Sequence, residues 1–205
     1  MSRRFSWGGG TPGFVTVIAD LTPQVDGAGP ARPLDMVSCR CADAFGDWPR
    51  RFRDTVNIVT MDGYYGYAKA ASKQVGKARQ LMDPFHVMHL AAGTPAPCRQ
   101  RIQYETLGHR DRKGDPLYGI RRTMLTRRSL VIPKRTERFD EVLTAQEHVA
   151  VQVTWDFYQE VIVAYDEPVW RDGKKRMFKL IKWIRAGMPK GLTGLVGLAP
   201  LGRTL

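Results

Sequence analysis

Apolar and polar positions follow two regimes along this chain. In the first, short β-rich runs alternate with turn residues and amphipathic stretches. FVTVIADL (14–21) carries Val15, Val17 and Ile18 and predicts a strand. TPQVDGAGPARP (22–33) is rich in proline and glycine and predicts a loop or hairpin connection into a return strand, LDMVSC (34–39). CADAFGDWPRRFR (41–53) places Phe45, Trp48 and Phe52 at helical spacing, weakened by Gly46 and Pro49. VNIVTMD (56–62) is the clearest strand, followed by a helix over 63–75 with an aromatic first turn and a short strand over 78–83. PFHVMHLA (84–91) opens another helix, with Asp83 suited to the N-cap and Pro84 to the first helical position. A hairpin followed by βα units predicts a mixed sheet with helices packed on it.

The second regime begins near residue 98. Segments 141–165 and 174–188 carry apolar residues at three- and four-residue spacing and predict helices, although Val149 to Val153 alternates and reads equally as extended. The expected organisation is a loose segment 1–13, an α/β portion 14–92 and a basic, mainly helical portion 93–205.

Composition sharpens this picture. The 205 residues are 43% hydrophobic, enough for a folded core. The net charge of +12 calls for a polyanion such as DNA or RNA, or an anionic membrane surface; a basic protein without such a partner is the plainer reading. No apolar run reaches the roughly 18 residues of a membrane helix, and MSRRFSWGGGTPG lacks the apolar region of a signal peptide. Cys39, Cys41 and Cys98 show no paired spacing, which argues against zinc or a disulfide framework and for reduced thiols in a cytoplasm.

Three features carry chemistry. Asp62 ends a strand, where a carboxylate at the open edge of an α/β sheet suits a Mg²⁺ ligand. An Asp before Gly also simply ends a strand in a turn, and spacing alone favours that reading. Asp83 and His86 pose the same choice between a cleft-facing pair and a helix cap with a nearby histidine; His89 adds only weak metal evidence. Between residues 99 and 128, Arg99, Arg101, Arg110, Arg112, Lys113, Arg121, Arg122, Arg127 and Arg128 stand against only Glu105, Asp111 and Asp115. Phosphate contacts need no more than such charge, while a solvated helix face accounts for it as well.

Four stretches, FVTVIADLTPQVDGAGPARPLDMV, VNIVTMDGYYGY, LMDPFHVMHLA and RQRIQYETLGHRDRKGDPLYGIRRTML, resemble the DDE-type transposases of bacterial insertion sequences, specifically the ISL-three family. The resemblance runs from about residue 12 to the end, and its most specific pieces are MDPFHVMHLA and TLGHRDRKGDPLYGIRR. It implies a partial RNase H-like mixed sheet with flanking helices, followed by a basic helical insertion or extension. It also implies transposition of DNA by Mg²⁺- or Mn²⁺-dependent cleavage and strand transfer, with two Asp and one Glu as ligands. The second catalytic Asp, which ends the fourth strand of the core in that family, matches Asp62, and the Asp-x-x-His motif matches Asp83 and His86. DNA is the implied partner, self-association is compatible with it, and no membrane is involved.

The departures shape the expectation. The family's first catalytic Asp lies on a strand ahead of FVTVIADL, where this chain has MSRRFSWGGG and no acid; Asp20 comes one strand too late. The family's Glu, its zinc-binding segment and its helix-turn-helix segment are not found. Pro95 and Pro97 fall where the family continues a basic helix, and proline should break it. The expected protein is a truncated transposase, inactive alone; the alternative is a non-catalytic basic remnant that binds DNA and interferes with an intact transposase.

Overall fold

A computed structural model describes residues 3–5, 13–38 and 54–186. The expected helix over 41–53, with Cys39 and Cys41, lies outside them, as do the last residues of the expected 174–188 helix. The chain divides into two compact units, Met1–Asp83 and Pro84–Leu205. The whole is a mixed α/β chain with small sheets and many helices.

In the first unit, β1 (Arg3–Phe5), β2 (Gly13–Asp20) and β3 (Arg32–Val37) form an antiparallel sheet in that order. β1 lies within the segment 1–13 that the sequence pattern leaves without a strand. Arg-Arg-Phe is too short to show alternation, and its strand character comes from pairing with β2, Arg3 opposite Val15. The pairing of β2 with β3 shifts register between Ile18 and Ala19, so that Pro33 stands opposite Ala19. A proline is tolerated there because β3 is an edge strand with an irregularity at that point. Between β2 and β3 the expected loop contains one turn of helix, α1 (Thr22–Val25), started by Pro23.

β4 (Ile58–Met61) and β5 (Arg79–Met82) pair in parallel, joined through α2 (Tyr65–Gln74). Among the described residues of this unit, Ala70, Ala71, Val75 and Ala78 form a buried cluster, with Ile18, Val56, Val59 and Met61 packed against them. Alanines let α2 lie close to the strands, and the Thr16 hydroxyl ties β2 to Tyr67 Oη at 2.7 Å.

The second unit is helical. α3 (Pro84–Ala92) is followed at once by α4 (Pro95–Leu107). Pro95 and Pro97 therefore do interrupt the helix, and the new one begins on them, because the first turn needs no N–H from either. α5 (Pro116–Gly119), α6 (Pro133–Leu143), α7 (Val149–Asp166) and α8 (Trp170–Arg185) complete it, with 3₁₀ turns at Thr123–Leu125, Arg128–Leu130 and Gln146–His148. The segment 141–165, expected to be mainly helical, holds the end of α6 and most of α7, separated near Ala145. Val149–Val153 is helical, its alternation overridden by packing: α7 buries Val151, Trp155, Phe157, Val161 and Ile162. α8 packs on α7 through Met177, Ile181 and Ile184. No helix of the described residues is long and apolar enough to cross a membrane.

Candidate nucleic-acid interface and acidic strand edge

The parallel pair fixes the acidic edge. Met61 stands opposite Met82, so Asp62 and Asp83 leave neighbouring strands at the same end. The Asp83 amide donates to the Met61 carbonyl at 2.8 Å. Adjacent strands lie about 4.8 Å apart, so the two half-buried acids start from adjoining backbone positions. The Asp62 carboxylate accepts the Tyr64 amide at 3.0 Å, turning the chain from β4 toward α2. Asp62 thus makes the turn and sits at the carboxyl edge of a parallel pair.

Asp83 is brought beside Asp62, an arrangement sequence spacing did not suggest. The available signal was that IVTM and RQLM each end in Met and are each followed by Asp. His86 belongs to α3 in the second unit and is half-buried, whereas His89 is exposed. Asp20 ends β2, and hydrogen bonding from Thr22, whose amide lies at 2.9 Å, holds its carboxyl below the usual range. Among the described residues no group of three or more His, Cys, Asp or Glu side chains converges as a metal site.

The basic run is sorted by its acids. Arg99 faces inward, buried to 5% side-chain exposure, and donates to Asp111 at 2.7 Å and to Gln103. Gln103 is fully buried and donates to Asp115 at 2.9 Å. Gln100 adds a second bond to Asp111 at 2.9 Å, and His109 Nδ1 lies 3.5 Å from Asp115. These contacts pin the loop after α4, where Gly108, Asp111 and Gly114 all have positive φ. Arg110, Arg112 and Lys113 on the same loop are exposed. No acid among the described residues lies within salt-bridge distance of them or of Arg122.

Other members are partly neutralised. Arg101 pairs with Glu105 along α4 at 2.9 Å, Arg127 with Asp166 at 2.7 Å and Arg128 with Asp156 at 2.5 Å. Arg121 stacks on Tyr118, 3.7 Å from the ring centre, and donates to the Tyr118 carbonyl. Arg99 therefore drops out of any phosphate-facing surface, because its guanidinium is buried in an internal network. Sequence reading missed this inward role, and also the use of Asp111 and Asp115 to hold the loop that displays three cations.

A family model described as Transposase, of the DDE-type ISL-three kind, matches residues 5–199. Comparison with curated proteins and with solved structures returns no match.

Proposed function

We propose, from the premise that the chain belongs to the ISL-three family of DDE-type transposases, that it holds DNA through the exposed cations of its second unit and does not by itself cut or join it. The observation that carries the DNA-holding half is the loop 108–115. Its acids Asp111 and Asp115 bond back to Arg99, Gln100 and Gln103 of α4 while its Arg110, Arg112 and Lys113 are exposed, a division that suits phosphate contact. Arg121, Arg122 and Arg101 extend the same basic segment.

An RNase H-like core over residues 14–92, followed by a basic helical portion over 93–205, is supported by element order. Among the described residues three antiparallel strands precede the parallel pair, and Asp62 follows β4, the fourth of the described strands. In the family that position carries the second catalytic Asp, with Asp83 and His86 as the supporting motif. The chemistry there uses Mg²⁺ or Mn²⁺, which activates the attacking oxygen and stabilises the leaving one. The described residues do not fit a two-metal site. Asp62 and Asp83 supply two carboxylates, one of which already accepts an amide, and the strand ahead of β2 is Arg3–Arg4–Phe5. No cleavage step is therefore assigned to this chain, and it functions as a DNA-binding part.

Two measurements test this. In fluorescence anisotropy with a duplex of random sequence, log affinity should fall linearly with log salt. Replacing Arg110, Arg112 and Lys113 with alanine should make that slope shallower by about 3, whereas Asp62→Ala should leave it unchanged. A flat salt response, or a triple variant that matches the parent, overturns the DNA-holding reading. Supercoiled plasmid incubated with the chain and Mg²⁺ or Mn²⁺ should stay intact. Metal-dependent nicking that disappears in Asp62→Ala would show that the chain is catalytic.

A further inference from the structure

We infer that the outward face of α8 holds a second DNA duplex, so that one chain bridges two, an inference that rests on the DNA-holding reading above. The α8 sequence, WRDGKKRMFKLIKWIR, carries seven Lys and Arg against one acid, Asp172. Its apolar stripe, Met177, Ile181 and Ile184, is buried, and α8 packs on α7. On the outward face Arg171, Lys175, Lys179 and Lys182 are exposed, at the four- and three-residue spacing that lines up one side of a helix. Lys175 meets Asp172 at 2.9 Å. Among the described residues no acid lies within salt-bridge distance of Arg171, Lys179 or Lys182.

Charge selects the kind of partner. A helix face that meets only water usually mixes acids with bases, because like charges three or four residues apart repel. The α8 face sets like charges at 171 and 175, at 175 and 179, and at 179 and 182, with Asp172 as the one acid on the helix. A row of phosphates supplies the missing anions. From Arg171 to Arg185 the helix runs about 21 Å, the rise of about six base pairs. A bilayer fits less well, since the apolar stripe needed for insertion is already buried. Position makes this a second surface. On α7, Phe157 stacks on Trp183 of α8, with ring centres 6.0 Å apart. Two residues away on either side, Trp155 packs on Phe139 and Gln159 accepts the Arg128 amide at 2.7 Å. Residues two apart on a helix point to opposite sides. α8 therefore covers one side of α7, and Arg128, at the end of the basic run, sits on the other. A straight duplex held on the Arg128 side does not also reach the outer face of α8.

The test fixes a duplex of about two helical turns to beads, loads the full chain, washes, and then offers a labelled duplex of unrelated sequence. The parent should capture the labelled duplex. Arg171→Glu, Lys179→Glu and Lys182→Glu together should lower that capture about tenfold or more, while the chain still binds the bead-held duplex. These reversals place acids four residues from Lys175 on either side, so helix content should be kept. No capture by the parent, despite salt-dependent binding of the first duplex, overturns the second surface and leaves the DNA-holding reading intact. Capture that survives the three reversals overturns it too. Loss of salt-dependent binding to both duplexes overturns the two readings together. Binding to phosphatidylserine vesicles that the reversals abolish, with no second duplex captured, assigns the face to a membrane and overturns the proposal. Should the variant fail to fold, stoichiometry decides on the parent chain. Sedimentation with excess duplex should give two duplexes per chain, and one per chain overturns the proposal.

Discussion

Replacing Gly173 with alanine should destabilise the second unit by about 3 kcal/mol, measured by denaturant unfolding followed through helix content. The sign is the diagnostic part, because Gly→Ala inside a helix ordinarily stabilises by roughly 1 kcal/mol. Here a Cβ at position 173 would lie 2.5 Å from the Ala164 carbonyl oxygen and 3.3 Å from the Glu167 Cβ. The nearest obstacle is backbone, so no rotamer change relieves it. α8 would have to lift away from the end of α7. Gly173 begins the stripe that continues through Met177, Ile181 and Ile184, all buried, so a shift there loosens the whole contact. The stack of Phe157 on Trp183, with centroids 6.0 Å apart, would open with it. A cost under about 1 kcal/mol, or a gain, would show that the two helices do not pack this closely.

The second large effect is expected at Asp111. Asp111→Ala should cost roughly 2 kcal/mol by the same measurement, and two causes add. Alanine is disfavoured at the left-handed φ of 61° that Asp111 adopts. Removing the carboxylate also leaves the buried Arg99 guanidinium without its charge partner. Breaking a fully buried pair costs about 3–5 kcal/mol, but Asp111 is 36% exposed, so solvent screens part of that. Asp111→Asn separates the causes, since asparagine tolerates the left-handed region and loses only the charge. The pair also gives a pH signature. The hydrogen bond from Arg99 holds the Asp111 carboxyl below its ordinary value. Its contribution is therefore present above the unfolded carboxylate pKa of about 3.9 and is lost as pH falls through the lower folded value. Acid unfolding of the parent should be steeper than that of Asp111→Asn below about pH 4. Superimposable acid profiles would remove the pair from the stability of this unit.

Much of the architecture was legible in the sequence. Strands β2, β3, β4 and β5 and helices α2, α3 and α8 follow directly from alternation, turn residues and helical spacing. β1 was not legible, because three residues gain strand character only from pairing across a hairpin. The break near Ala145 was hidden because apolar residues on both sides keep helical spacing. Asp62 and Asp83 could each be singled out in the sequence, but not that they adjoin, since parallel register is a tertiary fact. The basic run was visible as composition. Which cations face outward was not, because that depends on Asp111 and Asp115 folding back onto Arg99 and Gln103.

Among the described residues, the buried cluster of the first unit rests on alanines. Ala70, Ala71 and Ala78 bury little apolar area, and Val75 is the largest of the four buried side chains in that cluster. The second unit buries Trp155, Phe157, Ile162, Met177 and Ile181. Cooperative free energy is therefore distributed unevenly along the chain. Heating should not produce one all-or-none transition, and a single melting temperature would report mainly the helical unit. Backbone amides of β4 and β5 belong to the part that exchanges with solvent early, while those in the middle of α7 exchange only when the helical unit opens as a whole.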